Sequence, residues 1–147
     1  MPDTESKALV RRYFNEIRNA RNHAAAQQVF SSDIVLHVET PSGMEEIRGH
    51  EAIRQTLQPY LAAFPDLRYT IEDLIAESDK VVARWRAEGT HRGELFGIPA
   101  TGKRVSFFGT DVFRVAGVKI VEGWTSYDRL VILQQVGAIP IPGRGRP

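Results

Sequence analysis

Carboxylates and aromatic rings in the last third of the chain are the residues best suited to do chemistry. Asp128 follows Trp124 at even spacing in a β-rich stretch, and residues separated by an even number of positions on a strand point to the same face. A carboxylate held against an indole wall inside a pocket is suited to take up and return a proton. We therefore predict that Asp128 is a catalytic acid/base.

The expected hairpin register adds two more acids to that face. A two-residue turn at Ala116–Gly117 would place Asp111 opposite Glu122, on the face that carries Asp128. Three ionised acids on a buried face would repel one another, so this register predicts either a polar cavity or one acid with a raised pKa. Alternatively, Asp111 and Glu122 form a solvated rim with Arg or Lys partners.

Two histidines are further candidates for the site. His37 lies in the short strand predicted over Ile34–Glu39, and His91 continues the alternation of Trp85. An imidazole near pH 7 can donate to a carbonyl or enolate oxygen, so both are predicted as catalytic residues that orient the substrate. The alternative is a hydrogen-bonded core or rim histidine in each case. The sequence lacks the His i, i+4 metal-binding spacing with an acid between, so no metal is predicted.

Aromatic side chains complete the predicted pocket, although each could equally be ordinary core. The Tyr13 hydroxyl is expected to point inward, and Phe96, in the Gly/Pro-rich loop over residues 89–102, is expected to act as a lid. That loop lacks a phosphate-cradle motif, so no cofactor is predicted. The predicted substrate-binding residues are Tyr13, Phe14, Tyr60, Phe64, Trp85, Phe96, Phe107, Asp111, Glu122 and Trp124.

The elements that must position these side chains follow from hydrophobic periodicity. Helical spacing predicts three helices, after which a period of two from Leu67 onward predicts two hairpins, a four-stranded antiparallel sheet and a short final helix. Pro59 is expected to split the third helix or distort its last turn. The fold class is therefore α+β, with helices packed on a curved sheet. The predicted helices span Thr4–Ala20, Asn22–Ser31 and Gly49–Ala63.

Composition limits the possible partners. A length of 147 residues with 42% apolar content fits one domain, residues 1–139, followed by a Pro/Gly/Arg tail at 140–147 that is mobile or packs on a neighbouring subunit. The net charge is +1 and the basic residues are scattered, so nucleic acid is not expected as a partner. The chain has no cysteine, no signal-like start and no membrane-length apolar run, which predicts a cytoplasmic protein without membrane contact.

Several short motifs follow one another along about residues 6–139. They are Phe64-Pro65-Asp66-Leu67, Gly89-Thr90-His91, Gly97-Ile98-Pro99, Thr101-Gly102-Lys103, Val121-Glu122-Gly123-Trp124, Asp128 and Leu133-Gln134-Gln135-Val136-Gly137. In this order they resemble the SnoaL-like polyketide (ester) cyclase family of the NTF2-like superfamily. The resemblance implies a cone-shaped α+β barrel with a deep apolar pocket, a homodimer or homotetramer, and cofactor-free aldol ring closure with an Asp acid/base at the position of Asp128.

The resulting hypothesis is an acid/base enzyme of secondary metabolism, such as antibiotic biosynthesis. It would close a ring in a small apolar polyketide-type carbonyl compound, with Asp128 moving the proton. One alternative is an epoxide hydrolase or epoxide-opening cyclase, although the Arg-x-Asp spacing of such relatives is missing. A ketosteroid-isomerase-like enzyme would use a base near Glu39 with Tyr13 and a protonated Asp111 as donors. The third alternative is a non-catalytic binder of an apolar molecule.

Overall fold

A computed structural model describes residues 3–143, with four α-helices and six strands. A π-helix over Tyr13–Asn19 continues the first helix, and a 3₁₀ turn over His23–Ala25 precedes the second. The α-helices are α1 (Asp3–Arg12), α2 (Ala26–Val29), α3 (His50–Ala63) and α4 (Arg129–Gln135). The strands are β1 (Phe30–Thr40), β2 (Gly43–Arg48), β3 (Arg68–Glu77), β4 (Lys80–Thr90), β5 (Arg104–Ala116) and β6 (Lys119–Tyr127).

The strands form one curved, unclosed sheet in the order β2-β1-β6-β5-β4-β3. The predicted α+β class is confirmed, and the four predicted antiparallel strands are β3 to β6, but the sheet contains two further strands. β1 joins β6 in parallel, and β2 adds an antiparallel edge. β2 was not predicted, because its six residues are almost all exposed and do not alternate between buried and exposed positions. Its strand conformation comes from backbone pairing with β1.

Two of the predicted helices differ from the structure in their interior. α3 runs unbroken through Pro59, because Pro59 and Gln55, whose carbonyl loses its partner, both lie on the exposed side of the helix, where water can reach that carbonyl. The first helix widens after Arg12 into the π-helix, where the Ala20 amide donates to the Asn15 carbonyl at 3.0 Å, five residues back. Such widened turns are rare and frequently occur at functional sites.

The hydrophobic core lies between the helices and the concave face of the sheet. Inward residues alternate along β4 and β5, so that Ala83, Trp85, Phe107 and Phe113 are buried while their neighbours reach the outer face. α1 and α3 close the core from the other side with their own apolar stripes. Within residues 3–143 no helix has the length and apolar character to cross a bilayer.

The β5–β6 hairpin has a different register from the predicted one. Gly117 and Val118 form the turn, since Ala116 pairs with Lys119, and a bulge leaves Val121 unpaired. As a result Asp111 lies opposite Thr125 and not opposite Glu122. The register differs by an odd number of residues, and because the side-chain period is two, β6 presents the other set of its side chains to the core.

Gly109 on β5 leaves the space that the Trp85 ring occupies. The two residues are cross-strand partners, and a Cβ atom on residue 109 would lie 2.2 Å from the Trp85 ring. The indole therefore lies close against the backbone of β5 on the interior side of the sheet, where only 2% of Trp85 is exposed. Only glycine leaves room for this close approach.

Gly109→Ala is expected to displace the Trp85 ring and to lower the free energy of unfolding by about 1–3 kcal/mol, the usual cost of overpacking. Urea denaturation measures the loss, and the near-UV circular dichroism of tryptophan reports the displacement. Thr110→Ala, at the next position on the outward face, is the control and should change neither. Unaltered stability of Gly109→Ala would contradict the packing described for Trp85.

Candidate functional site

A buried ion pair lies at the centre of the concave side. Arg18 of the π-helix places Nη2 2.6 Å from Oδ2 of Asp111 on β5, and the two side chains are 3% and 0% exposed. The pair joins the helical layer to the sheet. Removing one partner from such a pair leaves an uncompensated buried charge and typically costs about 3–5 kcal/mol, so the two residues are expected to depend on each other.

Aromatic rings surround the Arg18 guanidinium. Its central carbon lies 4.3 to 5.4 Å from the centroids of four rings. The negative ring faces partly replace the water that the cation has lost. Tyr13 and Phe14 come from the same π-helix, and the sheet supplies the others. The rings belong to Tyr13, Phe14, Tyr69 and Trp85.

Several polar atoms around the pair make no hydrogen bond of good geometry to any described residue. They are Arg18 Nε and Nη1, Trp85 Nε1 and both carboxylate oxygens of Asp111. Buried donors and acceptors normally have partners, and unpartnered ones need an explanation. Three donor groups and a carboxylate in one buried cluster can hold a ligand oxygen and exchange a proton with it.

Burial dominates the electrostatics of this cluster. It raises the pKa of Asp111 above the ordinary value, although Arg18 and, more weakly, Thr125 and Trp85 oppose the rise. Burial is the largest influence on the pKa of Arg18 and acts to lower it, but the charge of Asp111 and the neighbouring Tyr13 and Tyr69 together leave that pKa raised, so Arg18 keeps its proton. The carboxyl group is thus the member of the pair that can titrate, as an acid/base requires.

A small cavity, here called the inner cavity, lies beside the pair. It measures about 30 Å³, which is room for one or two water molecules. Asp111 itself lies behind the lining, in contact with Arg18 and opposite Thr125. The lining residues are Arg18, Thr56, Leu57, Tyr60, Tyr69, Trp85, Phe107, Thr125 and Tyr127.

A larger recess, here called the outer pocket, shares Thr125 and Tyr127 with the inner cavity. It measures about 300 Å³ and is also lined by Val38, Glu39, Thr40, Pro41 and Arg129. The Tyr127 hydroxyl is hydrogen-bonded to that of Tyr60 and accepts from Arg129 Nε at 3.1 Å. Tyr127 therefore stands between the two spaces, and its side chain separates them.

The structure does not place Asp128 in a sheltered pocket, so that expectation is wrong. Asp128 is exposed and caps α4, where its carboxylate accepts a hydrogen bond from the Val131 amide at 3.1 Å. β6 ends at Tyr127, so the strand alternation used to predict its direction does not extend to Asp128. Its position is the ordinary one for an Asp before a helix.

His37, Glu122 and Trp124 lie together, but on the outer face of the sheet. His37 Nε2 is 2.6 Å from Glu122 Oε2, and its ring stacks on Trp124 with centroids 5.0 Å apart. His37 and then Arg114, at 3.0 Å, lower the pKa of Glu122. The expected indole wall beside the acid/base is therefore wrong, because the register shift turns these residues away from Asp111.

His91 is fully buried, as its alternation with Trp85 suggests, but it does not line the inner cavity. Its Nδ1 is 2.9 Å from Thr101 Oγ1, and its ring lies against Phe64. His91 and Thr101 therefore lie at the base of the loop over residues 91–103. Phe96 on the same loop is 56% exposed, and its ring meets that of Tyr60, a lining residue of the inner cavity, with centroids 5.8 Å apart.

The structure thus divides the predicted site residues into two groups. Those at or around the inner cavity are Tyr13, Phe14, Tyr60, Trp85, Phe107 and Asp111. Sequence reasoning missed Arg18, Tyr69, Thr125, Tyr127 and Arg129. One signal was available, since Arg18 follows Phe14 by four residues and so places a charge on the apolar stripe of the first helix. The described residues contain no cluster of three or more His, Asp or Glu suited to a metal ion.

The fold and this site define an NTF2-like protein, in which helices and a curved sheet surround a pocket. A family model for SnoaL-like polyketide cyclases matches residues 8–136. The chain belongs to this SnoaL-like polyketide cyclase family, and membership supports a cyclase-type function. A comparison with curated proteins gives no match.

Solved structures agree with this assignment. AclR, a candidate hydroxylase from Streptomyces galilaeus, is 29% identical with a TM-score of 0.84, over 97% of this chain and 87% of that chain. A candidate polyketide cyclase from Acidithiobacillus ferrooxidans is 28% identical with a TM-score of 0.78, over 90% and 94% of the two chains. IdmH, a candidate polyketide cyclase from Streptomyces antibioticus, is 26% identical with a TM-score of 0.78, over 90% and 98%.

The raised pKa of Asp111 makes a prediction about stability. The folded protein keeps the Asp111 proton to a higher pH than the unfolded chain does. Ionising this carboxyl group therefore costs stability as the pH rises above 3.8, the ordinary pKa of an Asp side chain. We expect the free energy of unfolding of the wild type to fall, relative to that of Asp111→Asn, as the pH rises above 3.8. Urea denaturation of both proteins at a series of pH values measures the difference.

Comparing the two proteins cancels the opposite slope contributed by carboxylates with a lowered pKa, such as Glu122. A difference that grows in favour of the wild type with rising pH would contradict the prediction. It would mean that Arg18 holds the pKa of Asp111 below its ordinary value.

Proposed function

We propose that this protein is a cofactor-independent cyclase that closes a ring in a small apolar, polyketide-type carbonyl compound. Asp111, and not Asp128, is the acid/base in this proposal. The observation that carries it is the buried Asp111 carboxyl group, which lies 2.6 Å from Arg18 and near Trp85 and Thr125 in an aromatic enclosure. The family assignment supports the reaction class.

The proposed reaction needs one group that moves a proton and others that hold an oxygen. Asp111 takes a proton from the carbon next to the substrate carbonyl, and Arg18 and Trp85 donate to the enolate oxygen that develops. The enolate carbon then forms a carbon–carbon bond to a second carbonyl carbon of the same molecule. Asp111 returns its proton to the resulting alkoxide, so the enzyme ends as it began.

Substrate access requires the side chains around the inner cavity to move. The 30 Å³ space holds no carbonyl compound of this class, whereas the outer pocket of about 300 Å³ is separated from it only by shared residues. Rotation of Tyr127, with loss of its hydrogen bond to Tyr60, would join the two spaces. Enclosure by aromatic rings would then fold the substrate into a reactive pose and exclude water.

A second candidate, epoxide opening, is favoured by the same Asp–Arg pair, because a carboxylate beside a guanidinium can activate a water molecule in the inner cavity. Within residues 3–143, however, Asp111 is the only buried acid, whereas that reaction would use an acid pair. The isomerase alternative needs Glu39 as a base near Asp111, but Glu39 is exposed and lines the outer pocket. Incorporation of oxygen from labelled water would distinguish epoxide opening from ring closure.

Asp111→Asn is expected to lower the rate of proton exchange and ring closure by about 10²–10⁴-fold, the usual contribution of a general acid/base. The measurement is deuterium uptake at the α-carbon of polyketide-type β-carbonyl esters in D₂O, followed by mass spectrometry for cyclised product. Asp128→Asn is the matched control, since Asp128 is exposed, and it should retain the wild-type rate.

Loss of activity in Asp128→Asn with full activity in Asp111→Asn would overturn the assignment of the acid/base. If the wild type binds these esters but exchanges no proton, the protein is a binder of apolar molecules and not an enzyme of this class.

Assembly into a homodimer or homotetramer stays a prediction. The outer face of the sheet carries the exposed side chains Ile75 and Phe108, 59% and 55% accessible, and such a surface is suited to contact a second copy. Sedimentation of the purified protein would give its oligomeric state.

A further inference from the structure

The outer pocket contains a cation that has no carboxylate partner. No nitrogen of Arg129 lies within 4.0 Å of a carboxylate oxygen among the residues that the structure describes. Arginines on neighbouring strands differ, since Arg84, Arg86 and Arg114 lie 2.6, 3.1 and 3.0 Å from acids. The charge of Arg129 is therefore available to an external anion.

Neutral groups hold the Arg129 side chain in place. Nη2 donates to the Glu39 carbonyl oxygen at 2.6 Å, and Nε donates to the Tyr127 hydroxyl at 3.1 Å. The guanidinium also lies over the Tyr127 ring, 5.3 Å from its centroid. A cation fixed in this way loses little further freedom when it binds a ligand. Its remaining nitrogen, Nη1, makes no hydrogen bond to any residue within 3–143.

The surroundings of Arg129 combine charge with apolar surface. Val38 and Pro41 line the same pocket and can cover the hydrocarbon body of a ligand. Two acids also line the pockets that Arg129 lines, Glu39 in the outer pocket and Asp128 in a neighbouring one. Both are exposed, so water screens their charges.

We propose that Arg129 and the outer pocket form a binding site for a carboxylate group on the substrate, and that this group determines how the substrate enters. This inference rests on the proposed function only in taking the outer pocket as the way to Asp111. Guanidinium groups bind carboxylates with good geometry and charge assistance.

The position of the site relative to Asp111 defines the substrate further. Thr125 lies opposite Asp111, and Tyr127, which holds Arg129, is two residues further along β6. That separation corresponds to about 7 Å along the strand. The substrate class is thus an apolar carbonyl compound whose carboxylate lies several bonds away from the carbon that loses its proton. Tyr127 contacts Arg129 on one side and Tyr60 on the other, so an anion at Arg129 would act directly on the residue that separates the two spaces.

Binding of benzoate and of benzamide, which share a ring and nearly the same size, tests the site without any reaction. We expect the wild type to bind benzoate about tenfold more tightly, as one charge-assisted contact allows. Titration followed by ¹H–¹⁵N NMR gives both affinities, and the amide shifts should concentrate at Glu39, Tyr127 and Arg129. Arg129→Gln should abolish the preference. Arg54→Gln, at an exposed arginine on α3, is the matched control and should retain it.

Equal affinities for the two probes, benzoate shifts confined to another part of the protein, or a preference that survives Arg129→Gln would each overturn the proposal. The NMR shifts of the wild type decide the question even if Arg129→Gln fails to fold. Neither probe can undergo ring closure, so this result is independent of whether Asp111 is the acid/base.

Discussion

The ion pair between Arg18 and Asp111 is the interaction on which the rest of the arrangement depends. Both charges are removed from water, and their attraction at 2.6 Å must offset the loss of two hydration shells. The aromatic rings around Arg18 reduce that cost but make no hydrogen bonds to replace all those lost. Consequently the π-helix and β5 must meet in one relative position, and the polar atoms left over form the only strongly polar part of the enclosure in the described chain.

The local backbone of two elements brings the pair together. The widened turn after Arg12 changes the angular spacing of the residues that follow, and it places both Tyr13 and Arg18 toward the sheet. On the sheet, Gly109 lets Trp85 lie close to β5 beside Asp111. The π-helix departs from regular helical geometry and Gly109 leaves out a side chain in a central strand, and both lie on the elements that carry the ion pair. Local irregularities concentrated in this way are typical of functional sites.

The two faces of the sheet carry different polar clusters, and one bulge decides which residues belong to each. On the concave face Asp111 is buried, and burial raises its pKa. On the outer face Glu122 keeps contact with water and with His37, and its pKa is lowered. Both residues are acids on adjacent strands, yet of the two only Asp111 has a pKa raised by burial, as an acid/base requires.

The sequence by itself determined the α+β class, the family, the amphipathic faces of the first and third helices and the buried alternation of β4, because each depends on residues close together in the chain. It also indicated Asp111, Tyr60, Trp85 and Phe107 as residues of one site. Only the tertiary structure decided that Asp111 pairs with Arg18, that Asp128 caps a helix, and that His37 and Glu122 face outward. The physical reason is that strand register, the bulge at Val121 and the contact between the π-helix and β5 depend on packing between distant segments, and a shift of one residue reverses the faces of a strand.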